Sequence, residues 1–569
     1  MKKNYPLYET TVFENFRIMA EQAADKHPDW TAFSFKKNPL DEDVVKVTYE
    51  EARQQIRFLG TAVHMHEWTG KTVAIVGGAS YHWFISYTAL MAAGAITVPL
   101  DKEMPAEDLA ATIEKAKCTA VFYSSEIEKK YAVLKDNCPG VSTFVSMSEE
   151  ICGDTDLSVD LLIAEGKEAY EAGNNIYYDY EIDADALASI VFTSGTTGKG
   201  KGVMLSQTNI VSDMTQGMYN FAITPKTMFV LPPHHTFGST VNFVGHFSQN
   251  CEIYISSGIK YFQKEMKEQK PSHLILVPLF IETLYKRIWA SAEKSGQAPK
   301  LRKAMQLSSA LRKTGIDLRK QLFKSVLQNF GGKLEMVICG GAALNQDIID
   351  FFDAIGITIL NGYGITECAP LISCNRNKYQ KKGSVGIPII GEEVKILNPD
   401  ENGEGEICVK GPNVMMGYYE NPEATAAAFD EEGFFRTKDY GKLDEEGWIY
   451  ITGRLNNLII FSNGKNVYPE EIETEISRIY GVGEVVVYAG ESKAHPECEV
   501  IVAEIYPEFD NLKERGITDV KAYFTEKVKE ANANMAPYKA VKLVKIRNTE
   551  FPKNTSRKII RFGINKSID

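Results

Sequence analysis

The sequence predicts an α/β protein with more than one domain. Its 569 residues are too many for a single hydrophobic core. Up to about residue 190, apolar runs with strand character alternate with amphipathic helical patterns, which is typical of a largely parallel sheet with helices on both faces. From about residue 383 the pattern changes to short strands and glycine turns, and a compact α/β segment follows Arg454. We therefore expect a large α/β part, a small β subdomain at about 383–453 and a small α/β tail.

The individual elements follow from the hydrophobic period. Helices are predicted at Phe13–Ala24 and, in a segment rich in Lys and Arg, over Leu301–Phe330. Polar residues interrupt the uncharged stretch Trp83–Leu100, so we interpret it as a buried helix to about Ala93 and then a strand, not as a membrane span. Strands are predicted at Thr72–Val76, Cys118–Tyr123, Ala188–Phe192, Met228–Leu231, Glu252–Ile255, His273–Val277, Leu334–Cys339 and Thr358–Leu360.

Composition argues against several classes of function. The chain has 63 Lys and Arg against 75 Asp and Glu, and a net charge of −12 argues against a general nucleic-acid-binding protein. The nine cysteines form no C-x-x-C pair, which predicts buried free thiols in a reducing compartment and gives no support to a zinc site. The N-terminal residues lack the apolar core of a signal peptide. We expect a cytoplasmic protein.

A glycine-rich stretch, Thr193–Val203, follows one of the predicted strands. Its eleven residues include four glycines, four hydroxyl side chains and two lysines. Glycines let backbone N–H groups converge on one point, while hydroxyls add donors and lysines add positive charge, so the stretch suits a triphosphate. It is not the common P-loop, because residue 202 is Gly. The alternative is a flexible surface loop.

The second strong pattern is Asn361–Glu367, directly after a predicted strand. Tyr363, between glycines, can lay its ring against a purine, and the Thr366 hydroxyl can donate to a phosphate oxygen. Glu367 offers the hard carboxylate that Mg²⁺ takes together with waters and phosphate oxygens. The alternative is a plain turn with an exposed Glu.

Other patterns are weaker when seen alone. His235 follows a strand end, where a histidine is more often structural than functional. Gly340–Ala342 is equally compatible with a tight turn and with a ligand-binding strand end. Asp439 can accept from the two hydroxyls of a ribose and Arg454 can donate to the same ribose or to a phosphate, or both can be ordinary surface charges. The basic segment around Lys558 is by composition a surface tail.

Together these patterns resemble the adenylate-forming, or AMP-binding, superfamily, which includes acyl-CoA synthetases, aryl-CoA ligases, luciferases and peptide-synthetase adenylation domains. The stretch from Thr193 resembles the family's phosphate loop, 363–367 matches its Tyr-Gly-x-Thr-Glu, and 552–558 resembles its Pro-Lys-Thr-x-Ser-Gly-Lys. The motifs occur in family order. The chain departs from the family at Lys438, where relatives have Gly, at Asn456, where they have a charged hinge residue, and at Arg557, where they have Gly.

The resemblance implies a large AMP-binding domain over 1–453 and a mobile cap over 454–569. It implies two steps, in which ATP and a carboxylic acid give acyl-adenylate and pyrophosphate, and coenzyme A then displaces AMP. Mg²⁺ would be held by Glu367 and Thr196, catalysis would use Lys558, Thr366 and His235, and the hinge would be Asn456. The nucleotide would be bound by Thr193, Ser194, Gly195, Thr196, Thr197, Gly198, Lys201, Gly340, Gly341, Ala342, Asn361, Gly362, Tyr363, Gly364, Thr366, Asp439, Ile451, Arg454 and Lys558. The acid would contact His235, Phe237, Gly238, Asn242 and Gly340, and the coenzyme A stage would use Asn463, Gly464 and Lys465.

The substrate is predicted less firmly than the nucleotide. Basic helices before Gly340 resemble the long-chain branch of the family, which implies a medium- or long-chain fatty acid. The open alternatives are an aryl acid, a separate acyl carrier protein as acceptor, a luciferase-like oxygenase and a non-catalytic nucleotide or lipid sensor. Few residues follow Lys558, so no fused carrier domain is expected. A monomer or homodimer and a peripheral membrane contact are both compatible with the sequence.

Overall fold

The structure is a computed structural model that describes residues 5–148, 157–193, 200–461, 466–491, 500–553, 559–561 and 563–568. The chain forms two compact units. The first unit consists of Met1–Glu393 and Lys410–Gly433, and the second consists of Val394–Val409 and Phe434–Asp569. A domain boundary at residues 453 and 454 remains a prediction.

The strands of the first unit form three sheets. Their orders are β2-β1-β10-β9, β11-β12-β13-β14-β15 and β18-β8-β7-β4-β3-β5-β6. The strands are β1 Thr31–Phe35, β2 Val45–Thr48, β3 Thr72–Val76, β4 Ile96–Leu100, β5 Ala120–Tyr123, β6 Thr143–Ser146, β7 Leu187–Thr193, β8 Lys201–Ser206, β9 Lys226–Phe229, β10 Glu252–Ile255, β11 His273–Leu276, β12 Met336–Cys339, β13 Thr358–Gly364, β14 Leu371–Cys374, β15 Ile387–Pro388 and β18 Gly417–Tyr418.

The α-helices of the first unit follow most of the strands. They are α1 Phe16–Lys26, α2 Tyr49–Met65, α3 Tyr81–Ala92, α4 Ala106–Lys115, α5 Glu128–Asn137, α6 Val159–Glu171, α7 Ile176–Asp179, α8 Gln207–Asn220, α9 Gly245–Ser248, α10 Ile259–Gln269, α11 Pro278–Lys294, α12 Ala298–Lys313, α13 Arg319–Leu322, α14 Lys324–Leu327, α15 Gln346–Ile355 and α16 Pro422–Ala428. Short 3₁₀ turns lie at Ser125–Ile127, Gln328–Phe330 and Thr366–Cys368, and a π-helical segment at Phe237–Val244.

The seven-stranded sheet confirms the predicted parallel α/β architecture. Strands β4, β3, β5 and β6 are mutually parallel, β7 runs parallel to β4, and β8 returns antiparallel to β7. Helix α3 is the buried helix predicted to end at about Ala93; eleven of its twelve residues are buried, it begins at the Ser80 N-cap and it is followed by Gly94 at φ +76°. Among the residues described, no helix has the length and apolarity needed to cross a bilayer.

Strand β13 corrects one expectation. The sequence predicts a strand that ends at Leu360, whereas β13 continues to Gly364. It continues because Gly362, Tyr363 and Gly364 pair antiparallel with β14. Glycine and polar residues by themselves favour a turn, but here the neighbouring strand β14 supplies the hydrogen bonds that keep them extended.

The second unit has its own sheets and core. Strands β16 Glu393–Leu397, β17 Gly405–Lys410, β19 Phe435–Leu443 and β20 Ile449–Arg454 form one sheet, and β21 Ile459–Ile460 pairs with β22 Asn466–Val467. Strands β23 Val482–Gly490, β24 Val500–Pro507 and β25 Leu543–Ile546 form another, with helices α17 Pro469–Ser477, α18 Phe509–Glu514 and α19 Val520–Asn532 and 3₁₀ turns at Leu455–Asn457 and Pro537–Lys539. Buried aliphatic side chains from α17, α19 and this sheet form one apolar cluster.

The cysteines agree with the prediction of buried free thiols. Seven lie in the described residues, and all seven are buried and free: Cys118, Cys138, Cys251, Cys339, Cys368, Cys374 and Cys408.

Candidate active site

The predicted phosphate loop joins the antiparallel strands β7 and β8. Thr193 and Lys201 are register partners at its base, and the Thr193 hydroxyl donates to the Lys201 carbonyl at 3.4 Å. Helix α8 starts directly after β8, because the Ser206 hydroxyl accepts from the Asn209 backbone N–H. The two strands and the helix are therefore positioned by local pairing and capping. Ser194, Gly195, Thr196, Thr197 and Gly198, predicted to cradle the phosphates, lie outside the described residues.

A tyrosine connects this hairpin to the predicted magnesium carboxylate. The Tyr418 hydroxyl donates to Glu367 Oε1 at 2.9 Å. The ammonium of Lys201 lies 4.6 Å from the centroid of the same tyrosine ring. Strand β18, which carries Tyr418, pairs with β8, and the Met415 backbone N–H donates to the Glu367 carbonyl at 2.8 Å. Tyr418 thus contacts both Lys201 and Glu367 and is a candidate site residue that the sequence analysis missed.

The electrostatics of Tyr418 hold this arrangement at neutral pH. Burial raises the pKa of the Tyr418 hydroxyl far above its ordinary value, and the neighbouring Glu367 carboxylate raises that pKa further. The hydroxyl therefore stays protonated and remains a donor. It occupies Oε1 of Glu367, whereas Oε2 accepts no hydrogen bond from any described residue.

Glycines predicted to bind the nucleotide lie at the ends of β12 and β13. A β-carbon on Gly340 would lie 3.1 Å from the Phe237 ring and 3.6 Å from the Gly362 carbonyl, so these three predicted residues are neighbours. At Gly364 a β-carbon would lie 2.1 Å from the Pro370 carbonyl, which only glycine tolerates. Gly341, at φ +89°, turns the chain away from the sheet before α15.

The predicted acid-binding residues share the segment 235–244. The Phe237 backbone N–H donates to His235 Nδ1 at 3.3 Å, and the Gly238 N–H donates to the His235 carbonyl at 2.8 Å. From Phe237 to Val244 the chain is π-helical, a conformation that occurs often at functional sites. Asn242 is fully buried there, and neither polar atom of its amide has a hydrogen-bond partner among the described residues. An unsatisfied buried amide is the pattern expected of a side chain that serves a ligand.

Buried polar groups support the turn that carries Thr366 and Glu367. Asp213 Oδ1 accepts from the Leu371 N–H at 2.8 Å, and the Asn413 amide donates to the carbonyls of Cys368 at 3.0 Å and Leu371 at 2.8 Å. Asp213 and Asn413 are both fully buried. Burial raises the pKa of the Asp213 carboxyl well above its usual range. The turn is thus fixed from beneath by side chains that the sequence analysis did not select.

The second unit brings together the predicted ribose residues. Arg454 Nε lies 2.9 Å from Asp439 Oδ1, across the pairing of β19 and β20. Ile451 lies two register pairs away and is 37 % exposed. Lys438 has φ +62°, the left-handed region, which gives a physical reason for the glycine that the resemblance places there. Asp439 is buried, and its carboxylate pairs with Arg454.

The predicted hinge lies in the 3₁₀ turn Leu455–Asn457. Next to Asn456, the Asn457 amide donates to Glu470 Oε1 at 2.5 Å. Asn463, Gly464, Lys465 and Lys558, predicted for the coenzyme A stage and for adenylation, lie outside the described residues.

A comparison with protein-family models decides the family. The model described as AMP-binding enzyme matches residues 20–419, well over half of the chain. The chain belongs to the AMP-binding enzyme family. The phosphate hairpin, Glu367 and Tyr418 all lie within the matched residues.

Similar proteins agree with this assignment. A long-chain-fatty-acid–CoA ligase of Mycobacterium bovis is 25% identical, over 95% of this chain and 93% of the ligase. A chloroplastic long-chain-fatty-acid–[acyl-carrier-protein] ligase of Arabidopsis thaliana is 27% identical, over 82% of this chain and 73% of that protein. Among solved structures, ATP-bound MatB from Rhodopseudomonas palustris matches with a TM-score of 0.74 at 24% identity, over 96% of this chain and 97% of MatB. This structural match shows the shared fold.

The residues of this AMP-binding enzyme fit Mg²⁺ bound together with a nucleotide. Among the described residues, no three His, Cys, Asp or Glu side chains are grouped to hold a metal by themselves. Mg²⁺ is usually held by one or two carboxylates, with waters and substrate phosphates as its other ligands. Glu367, with Oε1 fixed by Tyr418 and Oε2 without a protein donor, matches that requirement.

Proposed function

We propose that this enzyme activates a carboxylic acid with ATP and transfers the acyl group to coenzyme A. The products would be acyl-CoA, AMP and pyrophosphate, and the acid would be a medium- or long-chain fatty acid. One observation carries the proposal: Tyr418 joins the base of the phosphate hairpin to Glu367, so that the groups for a triphosphate and for its metal lie together.

In the first step a carboxylate oxygen attacks the α-phosphorus, and the bond from that phosphorus to the β-phosphate oxygen breaks. Negative charge moves onto oxygen atoms around phosphorus, so positioned cations and N–H groups lower the barrier. The hairpin from Thr193 to Lys201 would hold the β- and γ-phosphates, Thr366 would donate to a phosphate oxygen, and Lys558 would pair with the α-phosphate and the carboxylate. Asp439 and Arg454 would bind the ribose.

Glu367 would hold Mg²⁺, which when bound neutralises charge on the phosphate oxygens. Tyr418 would keep the carboxylate in one orientation, and Asp213 and Asn413 would keep the turn in place through their bonds to Leu371 and Cys368. These residues act through Glu367 and Thr366.

In the second step a thiol sulfur attacks the acyl carbon and AMP leaves. The relatives named as fatty-acid–CoA ligases support coenzyme A as the thiol. Asn463, Gly464 and Lys465 would lie near it after the cap turned about Asn456. The Arabidopsis relative named as an acyl-carrier-protein ligase supports a carrier protein as the second candidate acceptor.

The test separates the two steps and the two acceptors. ATP–pyrophosphate exchange is measured with fatty acids of increasing length and with aryl acids, and thioester formation is then measured with coenzyme A or with a purified acyl carrier protein. We expect exchange that depends on a fatty acid, and thioester formed only with coenzyme A. Exchange with aryl acids alone would overturn the substrate assignment, and thioester formed only on the carrier protein would overturn the acceptor.

The location and the oligomeric state belong to the same proposal. We expect a cytoplasmic enzyme, monomeric or homodimeric, without a membrane span; a peripheral membrane contact is compatible with the sequence.

A further inference from the structure

Helices α12, α13 and α14 form a strongly basic surface on an acidic protein. From Ala298 to Lys333 the chain has nine Lys and Arg and a single acidic residue, Asp317, whereas the whole chain has a net charge of −12. We refer to the exposed side chains of α12–α14 and of the loop between α12 and α13 as the basic face. The local excess of positive charge is therefore a property of this face and not of the protein.

Most of this charge is available to a partner. Three of the basic side chains are already paired with acids: Arg312 with Asp353, Arg319 with Asp317 and Asp353, and Lys320 with Glu335. The lysines of the segment that remain are exposed and make no ion pair with any described residue: Lys300, Lys303, Lys313, Lys324 and Lys333.

The same face exposes large apolar side chains. Leu307 is 51%, Ile316 48%, Leu318 38% and Leu322 36% exposed. Among the described residues, nineteen large hydrophobic side chains are exposed, and these four fall within sixteen consecutive positions. Single exposed hydrophobic residues are common, but such clustering marks an interaction site.

The charges and the apolar groups share one surface. Positions 300, 303 and 307 of α12 lie on the same side of the helix, because residues three to four apart face the same way. Helix α13, which carries Leu322, packs against α12, and the loop with Ile316 and Leu318 connects the two. Leu307 therefore lies beside unpaired lysines on α12, and the other exposed apolar side chains lie on the adjoining loop and helix.

We propose that the basic face docks the enzyme on an anionic lipid bilayer. Lysines reach acidic headgroups while their stems lie along apolar surface, and leucine and isoleucine side chains enter the boundary of the acyl chains. A nucleic acid would use the lysines but would leave four apolar side chains in water. An acidic protein such as a carrier could also pair with the lysines, so binding to a carrier protein is one arm of the test. The inference goes beyond the proposed function, because docking does not depend on which acid is activated.

The test measures binding to vesicles with no substrate present. The full-length enzyme is sedimented with vesicles of phosphatidylcholine alone or with about 30% phosphatidylglycerol, at low and at high salt. We expect binding to the anionic vesicles only, weaker at high salt. Because each lysine near an anionic surface strengthens binding about fivefold, the triple variant Lys300→Glu, Lys303→Glu, Lys313→Glu should bind at least on the order of 100-fold more weakly.

Two variants make the result specific. A matched control reverses three exposed helical lysines of the second unit, Lys513→Glu, Lys521→Glu and Lys529→Glu, and should bind like the parent. A double variant, Leu307→Ser with Leu318→Ser, should lose binding without any change in charge. Thermal unfolding and ATP–pyrophosphate exchange of each variant, both expected to equal the parent's, show that the fold and the site are intact.

Several results would overturn the proposal. They are failure of the parent to bind vesicles, binding to neutral vesicles as strong as to anionic ones, and a loss of binding in the control variant as large as in the triple variant. Binding of the parent to an acidic carrier protein or to RNA, with no vesicle binding, would assign the face to that partner instead. Vesicle binding needs neither ATP nor an acid. Absence of vesicle binding therefore would not contradict the proposed reaction, and absence of the reaction would not change the interpretation of vesicle binding.

Discussion

Replacing Tyr418 by Phe tests the arrangement on which the proposed site depends. The change removes one hydroxyl and keeps the ring, so the contact with the Lys201 ammonium at 4.6 Å and the strand pairing of β18 are retained. Only the 2.9 Å hydrogen bond to Glu367 Oε1 is lost. A hydrogen bond to a charged group contributes about 1.5–3 kcal/mol, and removing the partner of a metal-binding side chain usually costs about 10–100-fold in metal affinity or activity.

We therefore expect Tyr418→Phe to raise the Mg²⁺ concentration for half-maximal ATP–pyrophosphate exchange by about 10–100-fold. Exchange is followed over a titration of free Mg²⁺ at saturating ATP and acid. Tyr419→Phe is the matched control, because it removes a hydroxyl from the neighbouring residue, whose hydroxyl makes no hydrogen bond to Glu367. Glu367→Gln should show the same change in Mg²⁺ dependence or a larger one, since it removes the carboxylate itself.

The pH profile adds a second check. Burial and then the Glu367 charge hold the pKa of Tyr418 far above neutral, so the hydroxyl donates at every pH of an ordinary assay. The ratio of half-saturating Mg²⁺ between variant and parent should therefore be the same at pH 6 and pH 9, to within about twofold. An unchanged Mg²⁺ requirement in Tyr418→Phe, with unfolding like the parent's, would refute the assignment of Glu367 as a metal ligand oriented by this tyrosine.

The other predictions test the second step, the buried acids and the departures from the family. Lys558→Ala should lower adenylate formation by roughly 10²–10³-fold and spare thioester formation from supplied acyl-adenylate; equal loss of both steps would contradict its role. Burial raises the pKa of Glu392 to about 8, so ionisation of this side chain lowers the stability of the fold as the pH rises from the pKa of the carboxyl in the unfolded chain toward 8. Glu392→Gln should therefore flatten the fall of the unfolding temperature over that pH range. An unchanged slope would contradict this prediction. Lys438→Gly should stabilise the fold by about 1 kcal/mol in thermal unfolding, since it relieves φ +62°; destabilisation would mean that the lysine makes a compensating contact. Asn456→Pro should leave single-turnover pyrophosphate release intact and reduce acyl-CoA formation sharply, whereas two steps equal to the parent's would place the pivot elsewhere.

The fold could be predicted where the signal is local. Strands β3 and β10 have the bounds that the apolar runs predict, and α3 ends just before Gly94, as its glycine stop indicates. Strand β13 extends further than predicted because its last residues are held by β14, and no local pattern in a glycine-rich segment carries that pairing. Local sequence thus predicts the elements, and pairing between distant segments sets their ends.

The residues of the candidate site also fall into those that local sequence predicts and those that only the fold brings together. Glu367 and Lys201 could be selected because each sits in a motif whose chemistry is visible in a few residues. Tyr418 could not, because it lies 51 residues from Glu367 and its role comes only from the pairing of β18 with β8. Asp213 and Asn413 were also missed: a lone acid in a helix and a lone amide in a loop look like surface residues until the fold buries both.

Burying Asp213 and Asn413 beneath the turn has a cost that apolar residues would avoid. A buried acid without a cation is disfavoured in its charged form, and the raised pKa of the Asp213 carboxyl expresses that cost. Apolar side chains could fill the same space but could not accept from the Leu371 N–H or donate to the Cys368 carbonyl. Those two bonds fix both sides of the turn next to Glu367. The buried Asp213–Asn413 pair therefore lowers stability at high pH but fixes the position of the Glu367 carboxylate, to which Tyr418 donates.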